Sequence, residues 1–189
     1  MGIILTMTMV MITSMAIVRE RETGTLEQLI VTPLKTYELM IGKIIPYIVM
    51  GYVQATISLL VGLAVFDLPI RGSLPLLYGL TSFFIIASLS LGVLISSVSR
   101  TQMQAMQMSF FVFMPSVLLS GFMFPRDAMP KIFYILSQLL PMTYYIEILR
   151  GIILRGNSLS LLWAQVLSLI VFISATLGLA IKKFTKTLD

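Results

Sequence analysis

Five stretches of this chain, Gly2 to Val18, Ile44 to Phe66, Leu74 to Val98, Ala105 to Phe124 and Leu161 to Ile181, run without a single Asp, Glu, Lys or Arg. Each is close to the roughly 20 residues that a helix needs to cross the hydrocarbon of a bilayer. A charge at mid-bilayer costs about 2.5–3.5 kcal/mol, so five uninterrupted runs constrain the fold strongly. The rest of the composition agrees: 58% of residues are hydrophobic and only 11% charged. A water-soluble domain keeps about a quarter of its residues charged. The sequence predicts an all-α integral membrane protein, a single domain over residues 1–189 with five transmembrane helices. Trp163 falls near the start of the last run, where an interfacial indole sits.

The absences are equally selective. Without Cys or His there are no disulfides, no thiolate or imidazole zinc sites and no His-based triads. No carboxylate lies within the five runs to relay protons or sodium, which argues against an ion-driven carrier. A phosphate-cradling P-loop needs Gly, four residues, then Gly-Lys-Ser/Thr. Gly42-Lys43 has Tyr37 where the earlier Gly belongs, and Gly151 to Gly156 is followed by Asn157. The chain is therefore expected to hold no cofactor and no metal, and to be no enzyme. The net charge of +5 sits at the ends of the apolar runs, which suits orientation in a membrane and not nucleic-acid binding.

Lys and Arg near the span ends set that orientation. One side holds Arg19, Arg21, Lys35, Lys43, Arg100, Lys182, Lys183 and Lys186; the other holds Arg71, Arg126, Lys131, Arg150 and Arg155. The richer side is expected to be cytoplasmic, which puts the amino terminus outside and the carboxyl terminus inside. An external start at the first residues is unusual. A missing upstream segment is the expected cause, and a reverse-anchored first helix the alternative.

Four features stand out for function. In residues 19–35, Thr25 with Gln28 fits a capping box, and Pro33 limits the short helix that follows. Leu26, Leu29 and Ile30 share one face. Such a helix either lies on lipid headgroups or docks a cytosolic partner, and its charges of alternating sign favour docking. Residues 125–156 are too broken by Pro130 and Pro141 to span, so half-helices about 127–138 and 142–155 are expected as a re-entrant hairpin. Gly156 is a plausible cap, and Glu147 and Arg150 are spaced to pair. Small residues four apart, Ser88/Gly92/Ser96 and Ser174/Gly178, favour close helix contact, and Gln54 and Gln107 are either interhelix glue or substrate-facing. Finally, 14 methionines, several in the first and fourth runs, are either packing or a surface for varied apolar ligands.

Taken in order, these segments resemble the permease of type 2 ATP-binding-cassette exporters. The Glu22-Thr-Gly-Thr-Leu-Glu stretch is similar to the family's ATPase-docking segment. Phe124-Pro125, Pro130, Pro141, Thr143-Tyr144 and Leu149-Arg150 are similar to its external hairpin. The resemblance covers nearly the whole chain except the family's first span and external domain. It implies that Glu22, Thr23, Gly24, Thr25, Leu26, Glu27, Leu29 and Ile30 contact a cytosolic ATPase subunit, which would bind ATP and Mg. It implies that Phe124, Pro125, Pro141, Tyr144, Glu147 and Arg150 belong to an external gate. It also implies a second permease, identical or homologous, within the plasma membrane, and export as the direction. A passive channel, a secondary carrier and a non-transporting assembly subunit are the competing readings.

Overall fold

The computed structural model describes residues 1–24 and 36–185, with side chains over 1–24 and 44–183 apart from Asp127. The described residues are helical with no strand: α1 (Gly2–Glu22), α2 (Thr36–Phe66), α3 (Leu74–Val98), α4 (Gln102–Leu119), a 3-10 turn (Arg126–Ala128), α5 (Lys131–Ser137), α6 (Pro141–Ile153) and α7 (Leu159–Thr185). Four segments, Gly2–Glu22, Ile44–Phe66, Leu74–Val98 and Leu159–Lys183, are long and apolar enough to cross a membrane.

The fourth expected span differs from its expected bounds of 105–124. Helix α4 begins at Gln102 and stops at Leu119. Its start is set by Thr101, whose hydroxyl accepts the Gln104 N–H at 3.2 Å, while the Gln104 side chain accepts the Arg100 N–H at 2.8 Å. These side chains satisfy backbone donors that have no intrahelical partner. Its end comes where Gly121 takes φ 86, a left-handed conformation that ends the run after Ser120. Eighteen residues rise about 27 Å, just short of the roughly 30 Å of hydrocarbon. Helix α4 nonetheless connects the same two ends of the bundle as its neighbours. Gln102 sits against Glu22 at one end, and Gly121 against Arg150 at the other.

Helix α3 is the axis, with 72% of its span window buried against 17% for α7. It packs on α1, α2, α6 and α7. Its crossing with α1 is close because residue 92 is glycine. A Cβ there would lie 2.9 Å from both the Val10 carbonyl oxygen and the Thr13 Cβ. The expected Ser88/Gly92/Ser96 stripe is therefore a contact surface, with all three residues buried. The Ser174/Gly178 pair is not one within this chain: a Cβ on Gly178 would meet nothing within 4 Å. Hydroxyl pairs bridge the other helices, Ser14 to Ser109 at 2.9 Å and Ser90 to Thr176 at 2.8 Å. Gln54 takes the same role, accepting from Thr8 at 2.7 Å.

Helices α5 and α6 are bent 84° at the break between them. The pair begins beside Pro125 and ends where Arg71 donates its N–H to the Ile153 carbonyl at 3.1 Å. Both points belong to the same end of the bundle, so the pair leaves and rejoins one end, as expected of a hairpin. The half-helices are shorter than the expected 127–138 and 142–155. Pro125 and Pro130 bracket a separate 3-10 turn, and Pro141 is the first residue of α6 and not a break inside it. The end of α6 is closed by Gly156 at φ 67, with its N–H on the Ile152 carbonyl and the Asn157 N–H on that of Gly151.

Candidate functional site

At the end opposite the hairpin, α1 runs four residues past the expected Val18, through Arg19, Glu20, Arg21 and Glu22. These are good helix formers, and charge there faces water instead of lipid. Thr23 closes the helix with its hydroxyl on the Arg19 carbonyl at 2.9 Å, and Gly24 turns away at φ 69. Two side chains of this last turn reach across to the loop that starts α4. Arg21 donates to the Ser99 carbonyl at 3.3 Å. Glu22 accepts the Gln102 backbone N–H at 3.1 Å and the Gln102 side-chain N–H at 2.6 Å. A carboxylate on the first N–H groups of a helix is favoured by both hydrogen bonding and the helix dipole. Of the expected docking residues, Glu22 is thus held within the chain, and Thr23 and Gly24 form the exit from α1. Thr25, Leu26, Glu27, Leu29 and Ile30 lie outside the described residues.

The helices joined by that clasp, α1 and α4, also form the walls of a groove of ≈ 400 Å³. Its lining is almost wholly apolar: Met7 and Met11 from one side, Met106, Phe110 and Phe113 from the other, with Gln107 among them. Gln107 is thus among the groove's lining residues, whereas Gln54 is not. Methionine and phenylalanine offer polarizable, adaptable surface without charge. The groove opens beside an exposed apolar strip of α4 that includes Met103, Phe110, Phe111 and Met114.

At the hairpin end the expected residues separate into roles. Glu147 does not pair with Arg150, three positions along. It forms an ion pair with Arg126 and accepts from Gln165 of α7 at 3.0 Å. Arg150 instead donates to the Gly121 carbonyl at 3.0 Å. The Arg126 guanidinium also lies 4.9 Å from the centre of the Tyr134 ring. Tyr144 fastens the bend itself, its hydroxyl on the Gln138 carbonyl at 2.8 Å, and Thr143 does the same on the Ser137 carbonyl at 2.7 Å. Phe124 is exposed and, with Pro125, edges a separate shallow groove. Pro141 is buried.

The hairpin residue that sequence reasoning missed is Tyr145. Its ring stacks on Phe84 of α3 with centroids 3.9 Å apart and planes 3° from parallel. Its hydroxyl donates to Thr81 at 3.0 Å, because the Thr81 hydroxyl is already spent on the Leu77 carbonyl. Residue 2 is a glycine packed against this ring, where a Cβ would come within 3.2 Å. A Tyr-Tyr pair whose second ring repeats the spacing of buried Met142, Ile148 and Ile152 was the available signal.

Comparison with known proteins adds three findings. Residues 1–154 match the family described as ABC-2 type transporter. The chain is 35% identical over 188 residues to the probable multidrug ABC transporter permease YbhS of Escherichia coli strain K12, covering 99% of this chain and 50% of that protein. It is 37% identical over 179 residues to the probable multidrug ABC transporter permease YbhR of the same organism, covering 95% and 48% respectively. A more distant relative, ABC transporter G family member 20 of Dictyostelium discoideum, is 31% identical over 182 residues, 94% of this chain and 25% of that one. The chain thus spans about half the length of its bacterial relatives. No solved structure is a significant match.

Proposed function

This chain belongs to the ABC-2 type transporter family, and from that premise we propose that it forms the translocation path of an ATP-driven exporter. It is a multi-pass membrane protein of permease type. In the proposed assembly two permeases, identical or homologous, pair in the plasma membrane, and their exposed α4 strips face each other. The α1–α4 grooves then become the interior route, suited to apolar or amphiphilic cargo. A separate ATP-binding-cassette subunit binds ATP and Mg and grips the segment between α1 and α2 from the cytosol. The hairpin covers the external end.

The observation that carries this reading is the pair of hydrogen bonds that Glu22 accepts from Gln102. It joins the last turn of α1 to the first turn of α4, the two walls of the groove. A push on the segment that leaves α1 at Gly24 therefore displaces both walls together and not one helix alone. Closure of the ATPase subunits on ATP supplies such a push, and a two-state bundle converts it into opened or closed path. The excess of Lys and Arg on this side supports a cytosolic placement.

The test is Leu26→Asp in the permease reconstituted with its ATPase. The proposed docking face predicts that export is lost while ATP hydrolysis continues without it, with thermal stability of the bundle unchanged. Full export by the variant, or export by wild type without any ATPase, removes this assignment.

A further inference from the structure

A polar cavity of ≈ 450 Å³ lies between α6, the chain following α4, and the first turns of α7. Three arginines, Arg126, Arg150 and Arg155, reach its wall against one carboxylate, Glu147. Among the described side chains, three positive charges less one negative leave the wall at +2. Glu147 is already committed to Arg126 and Gln165, and among the described residues Arg150 has only the neutral Gly121 carbonyl. The wall also has hydrogen-bonding capacity to spare. Among the described residues, the Ser120 hydroxyl, Arg126 Nε and Gln165 Oε1 are buried and meet no protein partner, and all three belong to residues of this one cavity. Buried polar groups are ordinarily satisfied, so three shortfalls at one place mark a wall built for something more than itself.

Guanidinium groups favour oxyanions that accept in pairs, phosphate above all. The surroundings say what carries the phosphate. Leu161 and Leu162 line the cavity, and Trp163 follows them, 63% exposed. An exposed indole at the start of a spanning helix marks the headgroup level of the bilayer. Below it the outward face of α7 continues as exposed Leu167, Ile170 and Val171. Leu161 lines the cavity and is 66% exposed at the start of the apolar helix α7, so a basic site and a lipid-facing helix lie side by side, as the two halves of a phospholipid require.

We propose that this cavity binds the phosphate-bearing headgroup of an anionic phospholipid, whose acyl chains lie along α7 beside Trp163 and Leu167. The assignment needs the cavity to lie at headgroup depth, on whichever side of the membrane, and does not depend on export or on an ATPase. Bound there, the lipid would tie the hairpin to α7 and offset the charge that Glu147 leaves unbalanced.

Trp163 is the chain's single tryptophan, so its fluorescence reports directly. The protein is reconstituted in phosphatidylcholine bilayers containing a small equal fraction of phosphatidylglycerol or phosphatidylcholine with brominated chains. Brominated phosphatidylglycerol should quench Trp163 with an apparent affinity at least about fivefold above that of brominated phosphatidylcholine, the effect of a single arginine contact. R155Q, which leaves the Arg126–Glu147 pair in place, should lower that preference about fivefold, and R155K should retain it. Equal quenching by the two lipids, or an R155Q variant with undiminished preference, overturns the proposal. So does protection of the protein against thermal unfolding by inorganic phosphate, lost in R155Q, when the two brominated lipids quench equally, which would assign the cavity to free phosphate.

Discussion

Glu22 and Gln102 are eighty positions apart and share two hydrogen bonds, one to the backbone N–H and one to the side-chain amide of Gln102. The first caps α4 and the second fixes the clasp laterally. Glu22→Ala removes both and should cost about 1 kcal/mol of stability, the usual worth of a lost cap. Its larger effect should fall on coupling, because α1 and α4 then answer separately to the segment beyond Gly24. Cargo exported per ATP hydrolysed is the quantity to follow. Glu22→Gln keeps an acceptor but loses the charge, and should fall between Ala and wild type.

Gly92 and Gly178 look alike in sequence, each four residues from a serine, yet should respond in opposite ways. Gly92→Ala sets a methyl 2.9 Å from the Val10 carbonyl oxygen. Forcing α1 and α3 apart costs about 1–3 kcal/mol, as overpacking does elsewhere. Gly178→Ala meets open space and gains helix propensity, so it should be neutral or stabilising by up to about 1 kcal/mol. Thermal unfolding of the two variants in the same detergent separates these outcomes.

Tyr145 anchors the hairpin, and the two parts of its side chain can be separated. Tyr145→Phe keeps the stack on Phe84 and loses the bond to Thr81, which should cost about 1 kcal/mol. Tyr145→Ala empties a fully buried position and should cost about 3–5 kcal/mol. Proteolysis of the hairpin should rise sharply in the Ala variant and little in the Phe variant.

Glu147 and Arg126 are the ion pair at the hairpin end. Glu147→Ala strands a guanidinium whose side chain is only 16% exposed, at a cost of about 1–3 kcal/mol. Arg150→Ala should cost less, because Arg150 is exposed and among the described residues has only the Gly121 carbonyl. If Arg150 were the true partner of Glu147, the order would reverse, and a double-mutant cycle on melting temperature decides it.

Much of this architecture was legible in advance because lipid forbids charge. The runs ending at Phe66 and Val98 stop at the residues where the helices stop. What misled was local chemistry at the ends. Helix α1 continues through Arg19–Glu22 because charged helix formers are welcome once water is reached. Helix α4 ends early because Gly121 adopts a left-handed backbone, and apolar Phe122, Met123 and Phe124 then lie beyond the helix, exposed. The partner of Glu147 was hidden for a different reason. Arg126 lies twenty-one positions away and is brought near only by the 84° bend. Spacing along one helix, which suggested Arg150, carries no information about such folded-back contacts. Tyr144 and Tyr145 show the same limit, since neighbours in sequence lie about 100° apart around α6 and meet different partners, Gln138 and Thr81.

The most direct measurement uses the absence of native cysteines. Thr23→Cys and Ser158→Cys place one thiol at each end of the bundle, both at exposed positions. Intact cells are treated with a membrane-impermeant maleimide, then compared with opened cells. The account predicts that Ser158→Cys reacts from outside while Thr23→Cys reacts only after opening. Labelling of Thr23→Cys in intact cells would contradict it, since a docking segment on the outer face has no ATP-driven partner to meet.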